Sequence, residues 1–224
     1  MKLSKQTIDV LNNFASINPN LVFNIGNGIS TISDAKNIMA SAQITETFEQ
    51  SFGVYDLSEF LSALSLVENP TLEFSDSYLT IQNQNTSIRY HYSSPEILTT
   101  PPTKKITMPS IDVTVTITDE LIGKIKRASN ALGHSNLAIS GENGKVVLAV
   151  MDPKNSTANT YSIILDENNS CKETFNFIVA ISNLKIVPGD YTIEISSKLI
   201  SHFKHSTLPV EYYIALEKDS TYGE

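Results

Sequence analysis

Few residues of this chain have the chemistry for catalysis or metal binding: four histidines (His91, His134, His202 and His205) and a single cysteine, Cys171. His202 and His205 sit in the stretch SHFKH. Their i,i+3 spacing would aim two imidazoles at one ion only if that stretch were helical, and no acid or thiol lies close by to complete a ligand set. His91, within IRYHYS, reads as a solvent-face strand residue. His134 follows a helix end, where it caps the helix or is solvated. Cys171 beside Lys172 has the setting of a low-pKa thiol, against the commoner reading of inert packing at a strand start. Asp119 and Glu120 open a helix, and the positive end of its dipole already accounts for them. Nucleophile-elbow, phosphate-loop and dinucleotide-binding motifs are all missing; IGNGIS opens no helix and reads as a hairpin turn. A hydrolase working through His134 or His202 therefore has no constellation behind it. No catalytic residue, metal or cofactor is expected.

Charge carries more information. The stretch DELIGKIKRASNAL (119–132) places Lys124, Lys126 and Arg127 within four residues of one another, in a chain of 24 acidic and 16 basic residues with a net charge of −8. Net acidity alone argues against nucleic acid, but it says nothing of how charge is arranged. As a helix capped by Thr118, this stretch puts Leu121, Ile122, Ile125, Ala128 and Leu132 on one arc and Lys124, Lys126, Arg127 and Asn130 on the other. The first segment, LSKQTIDVLNNFASI (3–17), has the same design. Leu3, Thr7, Val10, Leu11, Phe14 and Ile17 share one face, and Lys2, Lys5, Asp9, Asn12, Asn13 and Ser16 the other. For one cluster a solvated face is the ordinary reading. Two repeat-opening helices with lysines on a polar face suggest a common surface, where flexible cations among Asn and Ser contact phosphates without reading bases. That surface lacks the aromatic groups of a single-strand binder.

The elements that position these faces follow a repeated order. A second helix reads from DLSEFLSALSLV (56–67), with Leu57, Phe60, Leu61, Leu64 and Val67 inward, and Ser58, Glu59, Ser62 and Ser65 outward. Residues 93–110 hold four of the nine prolines and neither period, which predicts an extended linker. Short strands are predicted at LVFNI, QITETFEQSFGVY, TLEFSDSYLTIQNQNTSIRYHYS, NLAIS, KVVLAVMD, YSIILD, FNFIVAI, DYTIEIS and VEYYIALE. A short fourth helix fits ISNLKI (181–186), where Lys185 is the only cation. Each half thus reads helix, strands, helix, strands, which is one supersecondary plan used twice. The 224 residues suffice for one large core or two of roughly 100 residues each. Apolar runs fall far short of the ~20 residues that span a bilayer, and the N-terminus is too polar for a signal peptide. One cysteine excludes an intrachain disulfide and suits a reducing cytoplasm, which makes the Asn-x-Ser/Thr triplets at Asn85, Asn155 and Asn168 coincidental.

Four stretches, MKLSKQTIDVLNNFASIN at the start, VYDLSEFLSALSLV at 54–67, TFNFIVAISNLKIVPGDYTI at 174–193 and YYIALEKDST at 212–221, resemble the sliding clamps of T-even-like tailed phages, the DNA polymerase processivity factors. The matches run in order from the first residue to the last few. Residues 20–50, 76–104, 153–172 and 197–210 do not follow the pattern.

The resemblance implies an α+β DNA-clamp fold of two similar domains, each of two strand-and-helix units, with a connector between them. The divisions expected are residues 1–95, 96–110 and 111–224. Three copies would form a homotrimeric ring, helices lining a central hole and sheets outside, around duplex DNA bound without sequence preference. The ring would tether the replicative polymerase and be loaded by a separate ATP-driven clamp loader; late-transcription factors are further partners. Such a protein works in the cytoplasm of the infected bacterium, has no membrane partner, and catalyses nothing. Lys2, Lys5, Asn12, Lys124, Lys126, Arg127, Asn130 and Lys185 would face DNA. The second helix has no cation outward, so the hole would be positive in patches. Three copies carry three times the charge of −8, so the exterior would be acidic. At a Debye length of ~8 Å, interior cations would still act locally. A partner-peptide pocket beside the connector segment KKITMPSI would involve Ile106, Met108, Pro109, Tyr213 and Leu216. A β-rich structural protein of the virion is the alternative.

Overall fold

A computed structural model describes residues 1–104, 106–142, 144–155, 157–166 and 173–223 of the chain. Two units divide it: residues 1–105 with 185–187 and 209–211, and residues 106–184 with 188–208 and 212–224. Cys171, Lys172 and Asn168 lie outside the described residues.

In the first unit, helix α1 (Lys5–Ile17) begins where Ser4 Oγ accepts the Thr7 amide and the Glu46 carboxylate accepts both the Ser4 amide and the Thr7 hydroxyl. It ends at Asn18, held extended by Pro19. Val10, Leu11, Phe14 and Ile17 are buried, each contributing about 1.5–3 kcal/mol. The strands β1 (Leu21–Phe23), β2 (Gly26–Ile32), β3 (Ile38–Phe48) and β4 (Phe52–Val54) follow. Helix α2 (Leu57–Ser65) is capped by Asp56, whose Oδ1 accepts from Ser58 and Glu59. The meander β5 (Thr71–Phe74), β6 (Tyr78–Gln82) and β7 (Ser87–His91) completes the unit. β1 pairs with β4, and β2 with β3. Phe23 is central to the core, stacked on Phe52 at 4.6 Å and edge-on to Phe48 and Phe60.

Three expectations change here. Lys2 and Leu3 precede α1: Ser4 takes the cap, while Met1 exchanges hydrogen bonds with Leu72, its ammonium donating to Leu72 O and its carbonyl accepting from Leu72 N. IGNGIS is strand, not turn. Gly26, at φ +110°, absorbs a register shift, after which Ile29 and Thr31 point inward with strand alternation. The 93–110 segment is partly structured, because Ser93 pairs with Gly53 of β4 and Pro95–Ile97 form a 3-10 turn.

The second unit opens with β8 (Val113–Ile117) and helix α3 (Asp119–Leu132). Thr118 caps α3, and Gly133, left-handed at φ +71°, ends it. Then come β9 (Asn136–Glu142), β10 (Lys145–Met151), β11 (Tyr161–Asp166), β12 (Phe175–Ala180), a 3-10 turn (Ile181–Asn183), β13 (Tyr191–Ser196), β14 (Ile200–His205), β15 (Val210–Ala215) and β16 (Thr221–Tyr222). One sheet runs β11-β10-β9-β12-β16; the other strands lie in the order β8-β13-β14-β15. The expected fourth helix is only that single 3-10 turn, and Lys185 lies beyond it. Pro188 bars helical continuation, since it lacks an amide donor and keeps Val187 extended. Strands β8, β14 and β16 add to those read from the sequence. Among the described residues no helix is long and apolar enough to cross a membrane.

Candidate DNA-facing helices and partner-binding segment

Within the three helices, every fully exposed position is Lys, Gln, Asp, Asn, Ser, Glu, Arg or Ala. On α1 these are Lys5, Gln6, Asp9, Asn12 and Ser16, and on α2 Ser58, Glu59, Ser62 and Ser65. Several fold back on their own helix: Asn12 donates to Ile8 O, Ser62 to Ser58 O and Ser65 to Ser62 O. Such groups present hydroxyl and amide surface without a fixed outward demand.

On α3 the basic cluster splits. Lys124, Arg127 and Asn130 are exposed, but Lys126 is half-buried on the flank. Burial pulls the Lys126 ammonium below its ordinary pKa, against the opposing pull of Asp119. Lys124 pairs with Glu120 at 2.8 Å, and that hydrogen bond and charge raise the Lys124 pKa. Arg127 is therefore the least committed cation of the three. It lies against Gly123, where an added Cβ would be 3.2 Å from Nη1. With Lys124, Ala128, Ala131, Leu132, Thr160 and Tyr161 it lines a shallow groove.

Two other residues expected to face DNA, Lys2 and Lys185, lie outside the helices. Lys2 borders a polar depression with Glu68 and Glu73. Lys185 donates from Nζ to Ser16 O at 2.6 Å, and its carbonyl accepts from Asn13. A cation on the last carbonyls of α1 is favoured by the helix dipole.

Of the five residues expected at a partner pocket, Ile106 and Met108 are half-buried, Pro109 is exposed, and Tyr213 and Leu216 are buried. Tyr213 stacks on His202 at 4.2 Å with planes 5° apart. His202 Nδ1 is 3.2 Å from Glu194, which also binds the Lys204 ammonium. Burial pushes the Glu194 carboxyl up, but the Lys204 and His202 contacts outweigh it and hold the carboxyl below its ordinary value.

SHFKH lies in β14, so its i,i+3 histidines point to opposite faces. His205 Nδ1 accepts from the Thr207 and Leu208 amides, and its Nε2 is 3.1 Å from Pro188 O. His134 Nε2 contacts Asn159 O at 2.8 Å. Both rings are engaged with backbone. Missed by the sequence reading was a cluster beside the connector, Ser110, Asp112 and Ser196. Ser110 Oγ is 2.9 Å from Asp112 Oδ2 and 2.7 Å from Ser196 Oγ. Ser196 lies 86 residues from Ser110, too far for any spacing rule to join it to the pair.

The chain matches two family models: DNA polymerase processivity factor over residues 2–97, and gp45 sliding clamp, C terminal, over 114–218. It is 34% identical to the sliding clamp of Vibrio phage KVP40 over 97% of this chain and 99% of that one. Against the sliding clamp of Escherichia phage RB69 identity is 32%, with 99% of each chain covered. The structure superposes on A. fulgidus PCNA bound to the C-terminal region of FEN-1 with a TM-score of 0.74 at 12% identity, covering 98% of each chain. It superposes on the Helicobacter pylori beta clamp bound to a DNA ligase peptide with a TM-score of 0.71 at 11% identity, covering 97% of this chain and 65% of that one.

Proposed function

We propose that this chain, which belongs to the sliding-clamp family of phage DNA polymerase processivity factors, closes with two further copies into a ring around duplex DNA. The observation that carries this reading is the set of exposed helix positions, which hold no large apolar side chain and carry the cations Lys5, Lys124 and Arg127 beside the carboxylates Asp9, Glu59, Asp119 and Glu120. Mobile cations among hydroxyl and amide groups neutralise phosphates without engaging base edges, which suits sliding. Among the described residues β7 and β11 are each the terminal strand of a sheet, which supports ring closure. β11 also exposes Ile164 at 51% and Tyr161 at 37%. Pairing one copy's β7 with the next copy's β11 is a heterologous contact, and such contacts generate rings when the rotation closes.

A closed ring cannot thread onto circular DNA unaided, so an ATP-driven loader opens it, and the chain itself catalyses nothing. Peptides bound to PCNA and the beta clamp support a partner site here too, at Ile106, Met108 and Pro109 with Tyr213 and Leu216 beneath. The replicative polymerase is its first occupant, in the infected bacterium's cytoplasm. Family membership favours this reading over a virion component.

Sedimentation at micromolar concentration, with primer extension on a primed circle, tests the proposal. The expected mass is three times the 24.6 kDa chain, with longer products from the phage's own polymerase only when loader and ATP are present. A 24.6 kDa species that leaves product length unchanged would overturn it.

A further inference from the structure

We propose that Asp112 is a positioning residue for partner capture, fixing the Met108–Ser110 end of the connector to the turn that also holds Leu216. The proposal rests on the reading that the polymerase docks beside this segment.

Hydrogen counting orders the cluster. Ser110 has one hydroxyl proton and donates it to Asp112 Oδ2 at 2.9 Å. In the 2.7 Å contact between Ser110 Oγ and Ser196 Oγ, the donor is then Ser196. Ser196, fully buried, accepts in turn from the Lys198 amide at 3.2 Å. The result is a directed chain from Lys198 N–H through Ser196 and Ser110 to one carboxylate oxygen. That oxygen also takes the Ser197 amide at 2.6 Å. Chains ending on a charged acceptor polarise one another and are stronger than isolated bonds.

The turn so gripped joins β13 to β14. Its Leu199 amide donates to Ser196 O at 3.1 Å, and Leu199 stands at φ +62°, a left-handed conformation that non-glycine residues rarely adopt. Leu199 O accepts from the Leu216 amide at 3.0 Å. The connector's end and Leu216 are thus tied to opposite ends of one four-residue turn.

Described connector residues 101–104 and 106–111 form no helix or strand, and Pro109 has no amide to donate. A lip of this kind must be ordered when a partner binds unless it is ordered beforehand, and prior ordering lowers the entropy cost of association. Asp112 supplies that order.

Surface plasmon resonance with the phage's own polymerase immobilised and the full-length clamp in solution tests this. Asp112→Ala is expected to weaken binding about five- to tenfold through faster dissociation. Asp112→Asn should fall between, since its amide oxygen still accepts but carries no charge. In a Met108→Ala background, Asp112→Ala should add about twofold or less, the non-additivity of residues acting through one another. Amide exchange over 106–111 should rise in the Asp112→Ala protein, with its oligomeric mass unchanged. Parental affinity in Asp112→Ala with weakened Met108→Ala overturns the positioning role and leaves the docking reading standing, as do fully additive losses. Parental affinity in both Met108→Ala and Pro109→Ala overturns the docking reading and the proposal with it. If Asp112→Ala does not fold, Ser110→Ala, which removes only the bridging hydroxyl, carries the same decision: weakened binding supports the role and parental affinity overturns it.

Discussion

Glu46 reaches from β3 to the first turn of α1, where its carboxylate accepts the Ser4 amide and the Thr7 hydroxyl. Burial pushes its pKa up, but these hydrogen bonds outweigh burial and leave it below the ordinary 4.5. A carboxylate whose folded pKa is depressed stabilises the protein above its unfolded pKa, and that stability is lost as pH falls through the folded value. Glu46→Gln is therefore expected to lower stability by about 1 kcal/mol at pH 7, allowing for solvent screening. Urea melts across pH should show the gap to the parent closing below 4.5, the ordinary value for this carboxyl. A gap that persists in acid would mean packing, not charge, explains the loss. Arg127 is the second residue-scale case. Lys124 is occupied by Glu120, so Arg127→Glu should shorten retention on circular DNA more than Lys124→Gln does. Each lost phosphate contact should reduce the salt slope by about one. Should Arg127→Glu instead abolish assembly, Arg127 belongs to a subunit interface.

Glycines show how far an element's sequence can be read without its surroundings. Gly123 lies inside α3, where glycine is unfavourable, and its neighbour is the flexible end of Arg127. Gly123→Ala is expected to raise stability by about 0.5–1 kcal/mol in thermal melts, with the guanidinium swinging aside. Gly53 is the opposite case. An added Cβ would lie 2.5 Å from Ser93 O and 2.7 Å from Leu98 Cδ1. Gly53→Ala forces backbone apart and should cost about 2–4 kcal/mol, with faster amide exchange at 93–98. The sequence places Gly123 in a helix and Gly53 in a strand, but it does not show that Ser93 and Leu98 lie against Gly53. The three helices were legible because an apolar stripe is local, and Thr118 could be read as the cap of α3; the cap at Ser4 was not read, and α1 starts two residues later than expected. Strands β2, β8 and β14 were not, because glycine-rich, threonine-rich and histidine-rich stretches become strands through the neighbours that pair with them.

A ring closed through β7 and β11 predicts that a charge on the exposed edge breaks the assembly and leaves the fold intact. Ile164→Lys, at a position 51% exposed, should move the sedimenting mass toward 24.6 kDa without lowering the melting temperature. An unchanged mass would place the interface elsewhere. At this scale the sequence by itself determined the class of molecule. The helix stripes and their cations, the repeated order of elements and the spaced family segments are properties of the chain, set by side-chain period and local capping. The tertiary structure decided which charges are available. Lys126 is half-buried on the flank of α3, and Lys185 rests on the end of α1. It alone also brought Ser110 and Asp112 against Ser196. Burial and long-range hydrogen bonds depend on distances between residues far apart in sequence, and those distances exist only once the sheets have formed.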